Sequence, residues 1–308
     1  MKVLVVGVGA IGSAYLAFLS RTGHDAFGLT KRGRKIESMR VEGIWGEFEV
    51  PVKTVEGPKE LPFTPELIIV SVKSYDTEEA LRSVKGIVGE DTLLMIAQNG
   101  YGNYEKAVGL YGEGKVILAR VIFGSELISP GHIRITVSAD DVVIGDPSGK
   151  LSEEKLKKLA RSFTDAGIPT RYEREVYKYL WDKIIYNCAL NPLGALLEVN
   201  YGTLAKNPHT RNLMDRIIDE VFEVTRCAGI ETFWEKAENY RKVFYEELIP
   251  PTSAHYPSML RDIKRGKTEI DSLNGAIAEL GRRCGADTPV NNVITELVKA
   301  KELINRER

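Results

Sequence analysis

The sequence predicts an α/β fold in two parts, a parallel-sheet domain over residues 1–173 followed by an all-helical domain over 174–308. Three observations predict it. Short apolar runs rich in β-branched residues, at 2–6 (KVLVV), 66–72 (ELIIVSV) and 91–97 (DTLLMIA), read as strands buried on both faces of a parallel sheet. A glycine-rich hexapeptide follows the first run at once. From Arg174 onward β-type runs vanish and only helical periodicity remains. A length of 308 residues suits two domains better than one.

The first element, KVLVV, leads into Gly7-Val8-Gly9-Ala10-Ile11-Gly12, and residues 13–20 (SAYLAFLS) then read as an apolar helix ended by Thr22 and Gly23. G-x-G-x-x-G between a strand and a helix is the signature of a Rossmann-type dinucleotide site. Gly7 makes the tight turn and Gly9 lets backbone approach a pyrophosphate. Gly12 lets the helix pack close to the strand, with its N-terminus facing the anion. Residues 25–30 (DAFGLT) form the second strand. An NAD site places an acid at its end to hold the ribose 2′-hydroxyl. Here Thr30-Lys31-Arg32-Gly33-Arg34 puts cations there, which favours a 2′-phosphate and NADP (NADPH); use of NADH and a plain solvated basic loop both stay open.

Residues 44–55 alternate apolar and polar, as a strand or hairpin with one wet face. The strand at 66–72 ends at Lys73, and Asp76 with Glu79 resembles a capping box for the next helix. The strand at 91–97 ends in Gln98-Asn99-Gly100. Lys73 and Asn99 thus share the carboxyl edge of the sheet, where open α/β sheets bind ligands. Asn-Gly is also a good turn on its own. Residues 115–144 are β-rich and are expected to extend the sheet; 152–167 make a Ser-capped amphipathic helix and 168–171 a last strand. Helices follow at 212–227, 233–247, 271–284 and 290–305. Between them, Ser258 and Thr268 read as N-terminal caps, with Glu269 favoured by the helix dipole.

The helix at 181–193 (WDKIIYNCALNPL) is mostly apolar, and Lys183, Asn187 and Asn191 interrupt its apolar run at i, i+4 and i+8, falling on one stripe. A buried ammonium is costly unless something pairs with it. Two readings stay open at this point: a snorkelling lysine with two backbone-capping amides, or a proton donor and two amide hands facing a cleft.

Composition narrows the class. Hydrophobic residues make up 43%, enough for sizeable cores, and a net charge of -1 gives no general nucleic-acid or acidic-membrane surface. No apolar run approaches the roughly 18 residues of a membrane span. The N-terminus shows no signal-peptide pattern, so a cytoplasmic location is expected. Cys188, Cys227 and Cys284 are too few and too scattered for a disulfide framework or a zinc site, and no metal is expected. His24, His132, His209 and His255 lack an Asp partner pattern. One Gln against 28% charged residues points to a heat-adapted source.

Read together, GVGAIG, VKSYD at Lys73, QNG at Asn99, WDKIIYNCALNPL and PSMLRDIKRGKTEID resemble the ketopantoate reductase family over nearly the whole chain and in the same order. The resemblance implies a Rossmann domain and a helical domain with the active site in the cleft, and reduction of 2-dehydropantoate to pantoate by NADPH on the way to pantothenate and coenzyme A. It further implies Lys183 as general acid. Lys73 and Asn99 would hold the cofactor and help set the catalytic lysine; Asn187, Asn191, Ser258 and Glu269 would bind or orient the substrate, with Glu269 also steering Lys183. The chain departs from the family once: where an Asn often precedes Gly after the catalytic helix, Tyr201 precedes Gly202 and Asn200 lies one residue early, so either the backbone shifts to present Asn200 to the substrate or the pocket differs. The partner expected is a small 2-keto acid, and a homodimer stays open. Two other readings remain, a related hydroxyacid dehydrogenase with another 2-keto acid and a nonenzymatic NADP sensor. A sensor needs no proton donor, so the Lys183, Asn187 and Glu269 set argues against it.

Overall fold

The computed structural model describes residues 1–307 and divides into two compact units, 1–99 with 103–177, and Gly100–Gly102 with the chain from Lys178 onward. In the first unit the elements run β1 (Lys2–Val6), α1 (Ala10–Arg21), β2 (Asp25–Leu29), β3 (Ser38–Gly43), β4 (Phe48–Pro51), β5 (Lys53–Val55), β6 (Leu67–Val70), α2 (Thr77–Ser83), β7 (Leu93–Ile96), α3 (Asn103–Tyr111) and β8 (Val116–Arg120). They continue with β9 (Phe123–Ser129), β10 (His132–Ser138), β11 (Val142–Gly145), α4 (Glu153–Ala166) and β12 (Thr170–Tyr172). The main sheet has the order β12-β11-β8-β7-β6-β1-β2-β5, every neighbouring pair parallel except β8 with β11. This is a Rossmann-type sheet, with the glycine loop at the carboxyl end of its inner strand β1. Residues 3–6 of β1 and all of β6, β7, β8 and β11 are buried without alternation, as a strand covered on both faces requires.

The β-rich stretch at 115–144 does not all extend that sheet. β9 and β10 form a hairpin around Pro130 and Gly131, and β10 pairs with β3 in a separate four-stranded sheet of order β4-β3-β10-β9. β3 and β10 alternate between buried and exposed residues, so this sheet carries one wet face, unlike β8 and β11 on either side of the hairpin in sequence. The alternating segment at 44–55 likewise divides: β4 returns along β3 as a hairpin, and β5 joins β2 in the main sheet.

The second unit is helical: α5 (Val176–Leu197) from Lys178 onward, α6 (Tyr201–Lys206), α7 (Pro208–Cys227), α8 (Ala237–Val243) leading into the wider turns of Phe244–Leu248, α9 (Ser258–Lys264), α10 (Asn274–Cys284) and α11 (Pro289–Arg306). α5 carries Pro192 in its interior. A proline has no N–H to give the carbonyl four residues back. That carbonyl belongs to Cys188, and the fully buried Asn274 of α10 supplies the donor instead, at 3.1 Å. Asn274 also donates to Asn291 Oδ1 at 2.9 Å, and Asn291 in turn donates to Glu220 of α7. Glu220 accepts the Val290 and Asn291 backbone N–H groups as well, and so caps α11 from another helix. Asn274→Leu should therefore cost about 2 to 4 kcal/mol, since it strands two buried acceptors. Urea unfolding of the variant checks it, and an unchanged midpoint would show that the break in α5 needs no such donor.

The cysteines require a correction. Cys227 and Cys284 close the last turns of α7 and α10, their Cα atoms lie 5.8 Å apart, and they form a disulfide across 57 residues. Sequence spacing gave no sign of it because helix packing alone brings them together. Cys188 remains free and buried.

Candidate active site

Within the first unit the glycine loop is shaped by steric limits. Gly7 has φ +96°, and a Cβ there would lie 2.7 Å from Val72 Cγ1 and 2.8 Å from its backbone nitrogen. A Cβ on Gly12 would overlap the Gly7 carbonyl oxygen and reach 2.5 Å from Ser71 Oγ. Ser71 fastens the same loop, donating to the carbonyls of Val6 at 3.2 Å and Gly7 at 2.9 Å. Gly9 is different: it precedes α1 in an extended conformation, and its Cβ position meets nothing within 4 Å. α1 has no side-chain cap and no acid in its first turn. Val8, Ala10 and Ile11 complete a loop whose open side, above Gly9, is a cradle that backbone N–H groups can offer to a pyrophosphate. The residues present fit a dinucleotide there.

Lys31 and Arg32 are exposed in the turn after β2. The Arg34 N–H donates to Lys31 O at 3.1 Å, and the Gly33 N–H donates to Glu56 Oε1 at 2.9 Å, which ties the basic turn to the end of β5. Lys73 is half-buried after β6 and opens the turn Ser74–Asp76; Asn99 is half-buried after β7. The expected capping box is absent. Asp76 makes no side-chain cap bond, because the turn preceding α2 already gives it φ -103° and ψ 2° rather than an extended backbone.

A buried network that the sequence reading missed sets this edge. Gln98 Nε2 donates to Val72 O at 2.8 Å and to Thr77 Oγ1 at 2.6 Å. Thr77 donates to Asn103 Oδ1 at 2.8 Å, and Asn103 Nδ2 donates to Asn99 O at 2.8 Å. The strand ends carrying Lys73 and Asn99 are thereby held in one frame. The only glutamine in the chain was the available signal.

Within the second unit, Lys183, Asn187 and Asn191 follow one face of α5. Lys183 is half-buried, and the two amides are 8% and 9% exposed, which rules out a solvated stripe. Cys188 between them is fully buried, and burial pushes its thiol pKa up, so it is an inert core residue. Asn200 is the cap of α6: its Oδ1 accepts the Thr203 N–H at 2.9 Å and the Thr203 hydroxyl at 2.8 Å. Its neighbour Tyr201 points its hydroxyl at Asn191, 2.7 Å from Oδ1.

Ser258 is the first residue of α9 and exposed, with Pro257 in the cap position, so the expected Ser cap is absent. Thr268 does turn back on the chain, accepting the Ile270 N–H at 3.2 Å. Its own N–H and hydroxyl go to the buried Glu302 of α11 at 2.6 and 2.5 Å. Glu269, half-buried, follows at once and opens the turn Ile270–Ser272. Ser272 O accepts the Tyr101 N–H at 2.8 Å, so Gly100–Gly102 packs beside this turn. Among the described residues no group of His, Cys, Asp and Glu could hold a metal ion.

Residues 3–149 match the family described as ketopantoate reductase PanE/ApbA, and residues 175–302 match its C-terminal part. The chain belongs to the ketopantoate reductase family. It is 70% identical over 305 residues to the 2-dehydropantoate 2-reductase of Aquifex aeolicus, covering 99% of this chain and 98% of that one. Its fold is similar to a PanE/ApbA family ketopantoate reductase from Ralstonia eutropha JMP134, with a TM-score of 0.86 at 28% identity over 99% and 100% of the two chains. It is also similar to D-mandelate dehydrogenase in its ternary structure with NADH and anilino(oxo)acetate, with a TM-score of 0.89 at 25% identity over the same shares. Members of the family are oxidoreductases that use a nicotinamide dinucleotide. No helix is long and apolar enough to cross a membrane among the described residues.

Proposed function

We propose that this chain reduces 2-dehydropantoate to pantoate with NADPH, a step toward pantothenate and coenzyme A. The observation that carries the reading is 70% identity across 99% of the chain to a relative of that name. Residues 1–173 would hold the dinucleotide and 174–308 the substrate. The loop of Gly7, Val8, Gly9, Ala10, Ile11 and Gly12 would take the pyrophosphate, with Lys31 and Arg32 at the 2′-phosphate and Lys73 and Asn99 at the sheet edge beside the nicotinamide. The reduced nicotinamide supplies the hydride when bound. Charge then develops on the substrate's keto oxygen, and Lys183 Nζ both stabilises it and donates the proton. Glu269 steers the ammonium. Asn187 and Asn191, neutral and held in place by burial, fix the hydroxyl and carboxylate ends without adding charge, and Ser258 completes that set. Asn200 has its side-chain carbonyl committed to the α6 cap, so only its Nδ2 is left for substrate.

Initial rates followed at 340 nm test the reading. Turnover of 2-dehydropantoate should exceed that of other 2-keto acids, and NADPH should serve better than NADH. Lys31→Ala with Arg32→Ala should weaken NADPH by roughly 1 to 3 kcal/mol and leave NADH nearly untouched. Equal losses for both cofactors would show that the basic turn does not read a 2′-phosphate. A second reading, reduction of another 2-keto acid, is favoured by Tyr201 and by the likeness to D-mandelate dehydrogenase. A larger kcat/KM for an aryl 2-keto acid would replace the first reading with the second.

A further inference from the structure

Tyr201 bonds directly to the Lys183, Asn187 and Asn191 stripe, and no residue with that role was expected at its position. The tyrosine is 4% exposed and Asn191 9%, so their 2.7 Å hydrogen bond lies out of water. Both ends are held. The ring of Tyr201 packs edge-on against Tyr186, with centroids 5.8 Å apart, and lies 5.3 Å from the ring of His255. Its backbone N–H donates to His255 O at 3.1 Å, and the Gly202 N–H to Ser253 O at 2.8 Å. Tyr186 is anchored in turn through Thr252, whose hydroxyl is 2.7 Å from the Tyr186 hydroxyl. On the other side Asn191 sits in α5 directly before Pro192.

We propose that Tyr201 is a positioning residue for substrate recognition: it occupies Asn191 Oδ1 and so turns the Nδ2 end of that amide toward the substrate. The inference rests on the reading of this stripe as the substrate site. Burial raises the pKa of the Tyr201 phenol, and Tyr186 adds to the effect, so the hydroxyl stays protonated and can keep donating. A primary amide has an acceptor oxygen with two lone pairs and a nitrogen with two donors. With Oδ1 turned to the Tyr201 hydroxyl, Asn191 presents its donor end to the substrate. It then selects an acceptor group, a carboxylate oxygen of a 2-keto acid, and disfavours a substrate that would present a hydroxyl or amine proton there. An amide free to flip would accept either.

Tyr201→Phe removes the hydroxyl and keeps the ring. In protein labelled with 15N-asparagine, the Asn191 side-chain amide signal, assigned by its loss in Asn191→Asp, should shift in Tyr201→Phe without any ligand. An unmoved signal would overturn the contact. With NADPH saturating, KM for the keto acid should rise about tenfold, while kcat stays within about threefold, because the lost bond acts on binding and not on proton transfer. The double variant Asn191→Ala with Tyr201→Phe should be no worse than Asn191→Ala alone. An unchanged KM in Tyr201→Phe, or losses that multiply independently, would overturn the proposal. Should Tyr201→Phe not fold, Asn191→Leu read on the 13C-labelled ring of Tyr201 examines the same contact from the other side, and an unmoved ring signal overturns it. The amide signal does not depend on substrate identity. A wild type inactive on 2-dehydropantoate would therefore sink the proposed reaction while this readout still decides the role of Tyr201.

Discussion

Lys183→Ala should lower kcat by about 10² to 10⁴-fold, with a much smaller change in NADPH affinity. The asymmetry follows from where the charge is. The keto oxygen is neutral in the ground state and anionic in the transition state, so an ammonium aimed at it matters most at the barrier. The fold should survive, since Lys183 is half-buried on α5 and its loss opens no apolar void. Ile184, the next residue, is 1% exposed and gives the contrast: Ile184→Ala should cost about 2 to 5 kcal/mol of stability and touch kcat little. Steady-state kinetics beside thermal melts separate the two. A Lys183→Ala enzyme that melts like wild type and keeps near-full kcat would sink the mechanism. One that simply unfolds would make Lys183 a structural lysine.

What could be read from the residues was what local periodicity encodes. The strand, glycine loop and helix at the N-terminus are contiguous, and each follows from its own residues: β-branched burial in β1, steric need at Gly7 and Gly12, an apolar face in α1. The i, i+4, i+8 stripe is legible for the same reason, since one helix carries it. What escaped depends on packing between distant elements. The Cys227–Cys284 bond spans 57 residues, and Asn274 donates to the Cys188 carbonyl 86 residues earlier, which Pro192 cannot serve. Asp76 and Ser258 failed as caps although their residue types suit the role. A cap needs an extended backbone just outside the helix, whereas Asp76 is already in a turn and Ser258 is already helical. The partition of β9 and β10 into their own sheet showed only as alternation in 132–138, a weak signal beside the continuous runs around it.

The last and the middle glycine of the fingerprint, Gly12 and Gly9, should fail in different ways when each is made alanine. Gly12→Ala should cost about 3 kcal/mol, at the upper end for overpacking, and should also weaken NADPH. Its new methyl meets the Gly7 carbonyl and Ser71 Oγ, and neither can yield cheaply. Ser71 is already bonded to Val6 O and Gly7 O, and Gly7, at φ +96°, is backed by Val72. Helix α1 must then move away from β1, carrying its N-terminus off the position that faces the anion. Gly9→Ala should melt like wild type, because Gly9 has extended backbone angles of φ -87° and ψ -160° and open space about its Cβ position. That open space is where a pyrophosphate would approach the backbone, so the same methyl should weaken NADPH at least about tenfold by denying close contact. Melting curves and NADPH titrations on both variants suffice. If Gly12→Ala keeps the wild-type melting point, α1 is not seated on the loop as described. If Gly9→Ala binds NADPH normally, the dinucleotide does not cross the loop at Gly9.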